Sequence, residues 1–402
     1  MSSYRELART PGVARIIAAQ LTARFPSGMI SLGLLIHVEH LTHSYAAAGV
    51  VLAAVSIGQA VAGPVTSRWM GRWGMRRVLT ILTAIYAAAI ATIAVAPLPV
   101  PALVALGLVA GLATPPVQSA VRTIYPKLVN ARQLTALYSL DASLQEMIWV
   151  LAPVLITFLA LQVSTVLGLL AVVVIAIGGG AWFILSPETG RVRIPPSRSA
   201  LGRVLRKPTV LLATAIGLLF IGAAAAIEAG IVATFGEGGV ESGLVLAVFA
   251  LGSLVGGLGS GSIPMSPWST ARRLGIVAVG TALTLLWVDN PWWLGGALFV
   301  AGVGFAPALA VMLSSTSASV KFSETAEAYG WINTGQLLGA ALGSMAAGFA
   351  IDGIGSIGAY VVSLTMIVGA ALVAAVFHRG FPDLRHRDAS PIPDTEPVQT
   401  IT

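Results

Sequence analysis

Four ionisable residues lie inside apolar runs long enough to cross a bilayer: Arg24, Asp141, Glu146 and Glu228. A charge within such a run costs about 2.5–3.5 kcal/mol on insertion scales, so each one is a candidate for chemistry. Arg24 sits about ten residues into the first run and precedes Phe25-Pro26, where the proline should bend the helix. Two readings of it stand side by side. It is either a fixed cation for an anionic solute group or a titrating carboxylate, or one partner of a buried ion pair with Asp141 or Glu146 that ties two helices together. Asp141 and Gln145 are four residues apart and share a helix face, whereas Glu146 is rotated by about 100°. Asp141 lies a turn inside the end of its run, where water and snorkelling suggest a structural role. Glu146 is deeper and suits a proton site. Glu228 is flanked by small residues in Ala223-Ala-Ala-Ala-Ile-Glu-Ala-Gly230, which leave room for water, solute or a neighbouring backbone. Proton coupling or solute binding competes there with a helix–helix hydrogen bond.

Gln20, Gln59, Asn333 and Gln336 form a second tier, able to bond solute or to bridge helices. Gly335, Gly339 and Gly343 recur every four residues, as Gly252 and Gly256 do, a spacing for close helix packing. His37, His40 and His43 with Glu39 could suggest zinc, but no fourth ligand is convincing and a solvated loop is expected. No cysteine is present. No metal and no cofactor is expected.

The elements that must position these residues are membrane helices. Of 402 residues, 56% are hydrophobic and only 10% charged, against roughly a quarter charged in soluble domains. Mean hydropathy is +0.88. Twelve spans are expected at about 14–36, 46–67, 76–96, 99–119, 137–160, 163–185, 209–234, 241–262, 272–289, 292–314, 329–351 and 356–378. A lone span in lipid must satisfy its own backbone, so these are helices. Span nine is the weakest. The net charge of +7 is a topology signal rather than a nucleic-acid footprint: with both termini cytoplasmic, 22 of the 23 Lys and Arg residues fall in inside segments, and the remaining one is Arg24. The first fifteen residues lack the pattern of a cleavable signal.

The chain also repeats. Gly49-Val-Val-Leu-Ala53, Gly58 and Gly63 match Gly243-Leu-Val-Leu-Ala247, Gly252 and Gly257 at an offset of 194. Val109-Ala110-Gly111 with Pro116, then Tyr138 and Gln145, match Val300-Ala301-Gly302 with Pro307, Tyr329 and Gln336 at an offset of 191. Two parallel six-helix halves are implied, residues 1–185 and 209–378, with a linker at 186–208 and a disordered tail at 379–402. Such a repeat places a solute site near the bilayer midplane between the halves.

At this point the chain resembles the major facilitator superfamily over all twelve spans. The family's loop between spans two and three reads roughly G-x-x-x-D-R-x-G-R-R. Here Arg72 and Gly74 match it and Arg76 and Arg77 supply the basic pair one position late, with Ser67 at the first glycine and Gly71 at the acid. The resemblance implies that this loop is a cytoplasmic gate whose arginines pair across the halves. It also implies that spans one, four, seven and ten line the cavity, so that Arg24 faces solute. Of the span-five motif of drug/proton antiporters only Pro153 is identical, and Gly107 stands where that branch has an arginine. The stretch from Ala328 to Gly339 looks like span eleven of bacterial efflux members. The implied fold is an all-α polytopic membrane protein, two pseudo-symmetric six-helix bundles. The implied function is a monomeric, multi-pass transporter of the inner (plasma) membrane, moving a small solute by alternating access, with proton-coupled export first and proton-coupled uptake of an anionic metabolite second. Its partners are the solute, protons and the lipid bilayer. A membrane enzyme or receptor is disfavoured, because the loops are too short for a catalytic domain, no nucleophile–base pair stands out, and the tail supplies no signalling module. No P-loop is present, so ATP is not the energy source in this chain.

Overall fold

The structure is a computed structural model, and it describes residues 6–7, 9–197, 199–236, 240–260 and 263–394. Eleven helices among them are long and apolar enough to cross a membrane. Span nine, Ser269–Thr284, is the short helix expected, at 16 residues. The halves are built alike. Span one (Val13–Thr42) packs on span six (Thr165–Leu185) as span seven (Pro208–Phe235) packs on span twelve (Ile357–Val376). Span two (Tyr45–Trp73) packs on span four as span eight (Val240–Ser260) packs on span ten (Pro291–Ser319). Large apolar side chains such as Val174, Leu185 and Phe349 are exposed on the outside of the bundle, as lipid requires of a protein whose solvent is hydrocarbon.

The repeated glycines are where paired helices touch. A Cβ on Gly58 would meet Leu108 O at 2.7 Å, and one on Gly111 would collide with Val55 O. In the second half Gly252 faces Phe299 O and Gly302 faces Phe249 O in the same way. Every one of these positions is related to its counterpart by the 194 or 191 offset. The glycines of span eleven (Phe322–Ile354) behave likewise, Gly335, Gly339 and Gly343 lying on Thr214, Leu218 and Gly222 of span seven.

Three expectations change. Span four does not end near residue 119. Pro115 and Pro116 donate no backbone hydrogen bond, so it breaks into Val100–Leu112 and Val117–Leu128 and then continues. Arg122, expected in a loop, therefore lies within the span and is buried. The tail is not disordered as far as Asp394. Phe381, Leu384 and Ala389 are buried, Leu384 N donates to Met265 O (2.9 Å), and Ile392 pairs with the turn before span eleven. Residues 395–402 lie outside the described residues.

A backbone carbonyl cannot step aside for a new side chain. Gly111→Leu and Gly302→Leu should each lower stability by about 1–3 kcal/mol or more, the range for overpacking. Gly348→Ala, which meets nothing within 4 Å, should leave it unchanged. Thermal unfolding in detergent followed by circular dichroism checks both.

Candidate functional site

Asp141 is fully buried at the centre of a polar cluster drawn from three helices of the first half. Its Oδ1 accepts from Arg24 Nη1 (3.2 Å) and Gln20 Nε2 (3.1 Å) of span one and from Tyr125 OH (3.0 Å) of span four. Its Oδ2 accepts from Arg122 Nε (3.1 Å). Gln145 Oε1, one turn further along span five (Ala131–Phe158), accepts from Arg24 Nη2 and from Arg122 Nη2. Gln118, with its amide oxygen toward the guanidinium, accepts from Arg122 Nη1 (2.5 Å). Local structure explains the placement. Gln20 and Arg24 are one turn apart and bonded to each other at 2.9 Å, as Asp141 and Gln145 are one turn apart facing them. The Pro115–Pro116 break redirects the second piece of span four so that Arg122 and Tyr125 reach Asp141.

The ion-pair reading of Arg24 is the one seen, with Asp141 as its partner. Its side chain also forms part of the wall of a cavity of about 410 Å³. Ser27, Ser31, Gln59, Thr114, Asn333 and Trp149 share that wall. The lining comes from the first half and span eleven, not from spans seven and ten as the resemblance implied. Gln59 and Asn333 therefore face the cavity. Gln20 instead serves Asp141, and Gln336 is buried near Gly217. Asp141 is fully buried, where access to solvent at the end of its span was expected. Glu146 is buried and forms no hydrogen bond or ion pair among the described residues; the charges it feels are Arg24 and Glu228. Glu228 is exposed and lies outside the cavity lining. His37 is enclosed between Thr165 Oγ1 (3.0 Å) and Ile93 O (3.1 Å) rather than in a solvated loop.

The polar contacts between the halves are concentrated toward the basic end of the bundle. There Arg68 Nη1 pairs with Glu327 Oε2 (3.0 Å). Tyr138 OH and Tyr329 OH are 2.7 Å apart, Ser139 Oγ donates to Gly257 O (2.5 Å), and Thr334 Oγ1 donates to Ala60 O (2.8 Å). The hydrogen bonds and the ion pair between the halves run from this end, at Arg68–Glu327, to the middle of spans two and eleven, at Ala60–Thr334. The linker braces the basic end: Gly202 N donates to Glu327 Oε1 (2.8 Å), and Glu324 accepts from Ser199 Oγ (3.0 Å) and Lys207 Nζ (2.8 Å). The loop after span two differs from expectation. Arg76 donates to Ser186 O (3.1 Å) within its own half, and no ion pair is formed by Arg72 or Arg77 among the described residues. Gly74, with φ +90°, makes the turn into span three (Met75–Val95) that a side chain would strain. The arginine that crosses is Arg68, one turn before Arg72. Outside the spans, Glu188 accepts from Arg15, and the neighbouring guanidinium outweighs burial to hold its carboxyl below the usual range.

Sequence reasoning missed Arg68, Arg122, Tyr125 and Glu327 as functional groups. For Arg122 the Pro-Pro break six residues earlier was the available signal. For the gate, the repeat had already matched Tyr138 with Tyr329.

This architecture, two repeated six-helix bundles around a central cavity closed at one end, is that of a polytopic membrane carrier. The sequence profile of the Major Facilitator Superfamily matches residues 16–288, and the chain belongs to that family. Its function is membrane transport. Among solved structures, the chain is similar to a bacterial homologue of the iron transporter ferroportin in an outward-facing state, at TM-score 0.73 and 14% identity, covering 91% of this chain and 99% of that one. The human organic anion transporter MFSD10 (TETRAN) is similar at TM-score 0.69 and 14% identity, covering 90% and 99%. No curated protein sequence matches significantly.

Removing Asp141 leaves two buried guanidiniums without a counter-ion. Asp141→Asn should therefore cost about 3–5 kcal/mol, whereas Arg24→Gln keeps the Arg122–Asp141 pair and should cost much less. Comparing the thermal midpoints of the two variants in detergent checks the ordering.

Proposed function

We propose that the chain is a secondary active transporter that carries a small organic solute across the cytoplasmic membrane by alternating access, with its basic end and both termini in the cytoplasm. The observation that carries the reading is that the polar contacts between the halves are concentrated on the basic side, from Arg68–Glu327 to Ala60–Thr334 at mid-span. Two bundles bonded over that part of their length can rock about the contact, exposing the central cavity first to one side and then to the other. The concentration of Lys and Arg at the closed end supports a cytoplasmic assignment. Protons are the coupling ion in this reading, and Glu146 and Glu228, two carboxylates near each other on opposite halves, are the groups that carry them. Proton-coupled export of the solute is the first form of the mechanism. A second form, proton-coupled uptake of an anionic metabolite, is favoured by Arg24 in the cavity wall.

The cysteine-free chain makes the gate directly testable. Ser139 Oγ and Ser260 Oγ face each other across the halves at 3.5 Å. In the double variant Ser139→Cys/Ser260→Cys, mild oxidation should cross-link spans five and eight and arrest solute-driven proton flux in proteoliposomes, and reductant should restore it. Adding Arg68→Ala or Glu327→Gln should lower the cross-linking yield by loosening the closed end. Full flux through the cross-linked protein would exclude alternating access at this gate.

Glu228→Gln and Glu146→Gln should each abolish solute-driven proton movement, read with a pH-sensitive dye inside the vesicles. A variant that kept wild-type proton flux would remove its residue from the proton path.

A further inference from the structure

The charges around Arg24 do not balance. Arg24 and Arg122 contribute two guanidiniums and Asp141 one carboxylate, while the groups bonded to them, Gln20, Gln118, Gln145 and Tyr125, are amides and a phenol. All three charged side chains are buried. A positive charge enclosed by helices and lipid is heavily penalised unless an anion answers it. Arg24 has capacity left for one. A guanidinium carries five N–H groups, and Arg24 directs three of them to Gln20, Asp141 and Gln145. The rest of the cavity wall is neutral, with no carboxylate in it and Arg24 as its single charged residue.

We infer that the cavity takes a small organic anion, whose carboxylate or phosphate pairs with Arg24 while the serine, threonine and amide groups of the wall take its other polar atoms. This rests on the transporter reading and names the class of its cargo. Glu146 is the internal competitor for the same charge. It is buried next to Gln145, the residue that accepts from Arg24, and Arg24 and Glu228 are the charges that act on it. With Glu146 ionised, Arg24, Arg122, Asp141 and Glu146 sum to zero and a second anion is repelled. With Glu146 protonated the sum is one positive charge, and the anion completes it. Anion binding therefore draws a proton from solvent onto the Glu146 carboxylate, and affinity rises as pH falls. Ionised Glu228 would repel ionised Glu146 and so acts in the same direction.

The test uses the purified full-length chain in detergent, with benzoate and inorganic phosphate as probes and benzamide and benzamidine as neutral and cationic counterparts of benzoate. Benzoate or phosphate should raise the thermal midpoint, more at acidic than at neutral pH, and the two uncharged or cationic probes should not. The two anions separate a carboxylate preference from a phosphate preference. Calorimetry in buffers of different ionisation heat should show uptake of about one proton per anion bound. Arg24→Gln should weaken anion binding about 10–100-fold, and Arg24→Lys should recover part of it. Glu146→Gln should bind the anion with a pH-independent affinity and no proton uptake. Stabilisation by benzamide or benzamidine in place of the anions, no stabilisation by either anion, or unchanged affinity in Arg24→Gln and Arg24→Lys would overturn the anion site. Persistent proton uptake in Glu146→Gln would overturn the linkage. Anion binding with full flux through the Ser139→Cys/Ser260→Cys cross-link would retire alternating access and leave the anion site standing. A cross-link that arrests transport of a neutral or cationic solute would do the reverse.

Discussion

A carboxylate sealed among helices in lipid must collect every donor within reach, and Asp141 collects four. Much of the first half follows from that requirement. Gln20 and Arg24 fix the rotation of span one, and Arg122 and Tyr125 fix the second piece of span four after its proline break. Asp141 and Gln145 fix span five between them. The same Arg24 that satisfies Asp141 also lines the cavity. The backbone carbonyl of Arg122 accepts from Tyr138 OH at 3.2 Å, and Tyr138 in turn meets Tyr329 across the halves. A single buried charge cluster thus borders both the cavity and the closed end.

The two halves share their packing but not their chemistry. Tyr138 and Tyr329 are equivalent positions, 191 residues apart, and equivalent residues can touch only where they lie on the pseudo-two-fold axis. Tyr138 OH reaches the carbonyl of Arg122, and Tyr329 OH reaches that of Leu313 (3.3 Å), again 191 residues on. The tyrosine pair is therefore symmetric in its backbone partners. The side chains behind it are not. At the positions equivalent to Arg122 and Asp141 the second half carries Leu313 and Ile332, which are buried and apolar. Charge is concentrated in one half, and the other supplies the complementary wall through span eleven.

The spans were legible because apolar run length and the placement of basic residues are one-dimensional signals. The repeat was legible because close helix approach demands glycine at matching places, as Gly58 and Gly252 show. The pairing of Asp141 with Gln145 on one face, and the separation of Glu146 from it, could be read from helical periodicity alone. Arg122 could not, because a cation just past an apolar run looks like a loop residue until a partner for it is known. The gate pairing was misplaced by one turn, since the motif identifies a basic loop but not which arginine faces Glu327. The packed tail was hidden by its polar, proline-bearing composition. Its burial rests on Phe381, Leu384 and Ala389, too few apolar residues to register as an element.

The difference between the two polar regions accounts for how the molecule can move. The gate is a handful of hydrogen bonds and one partly accessible ion pair, each worth about 0.5–1.5 kcal/mol net. Their sum is of the same order as the roughly 5.5 kcal/mol that a ligand must supply to invert a two-state population. The Asp141 cluster is buried, and breaking it so that its charges lose their counter-ion would cost about 3–5 kcal/mol. Opening the basic end by separating the halves breaks Arg68–Glu327, Tyr138–Tyr329 and Ser139–Gly257 but leaves every bond to Asp141 intact, since all of its partners belong to the first half. In the alternating access proposed above, the motion that keeps these bonds is rigid rotation of one bundle against the other. The charge that faces the cavity is carried through that motion unchanged.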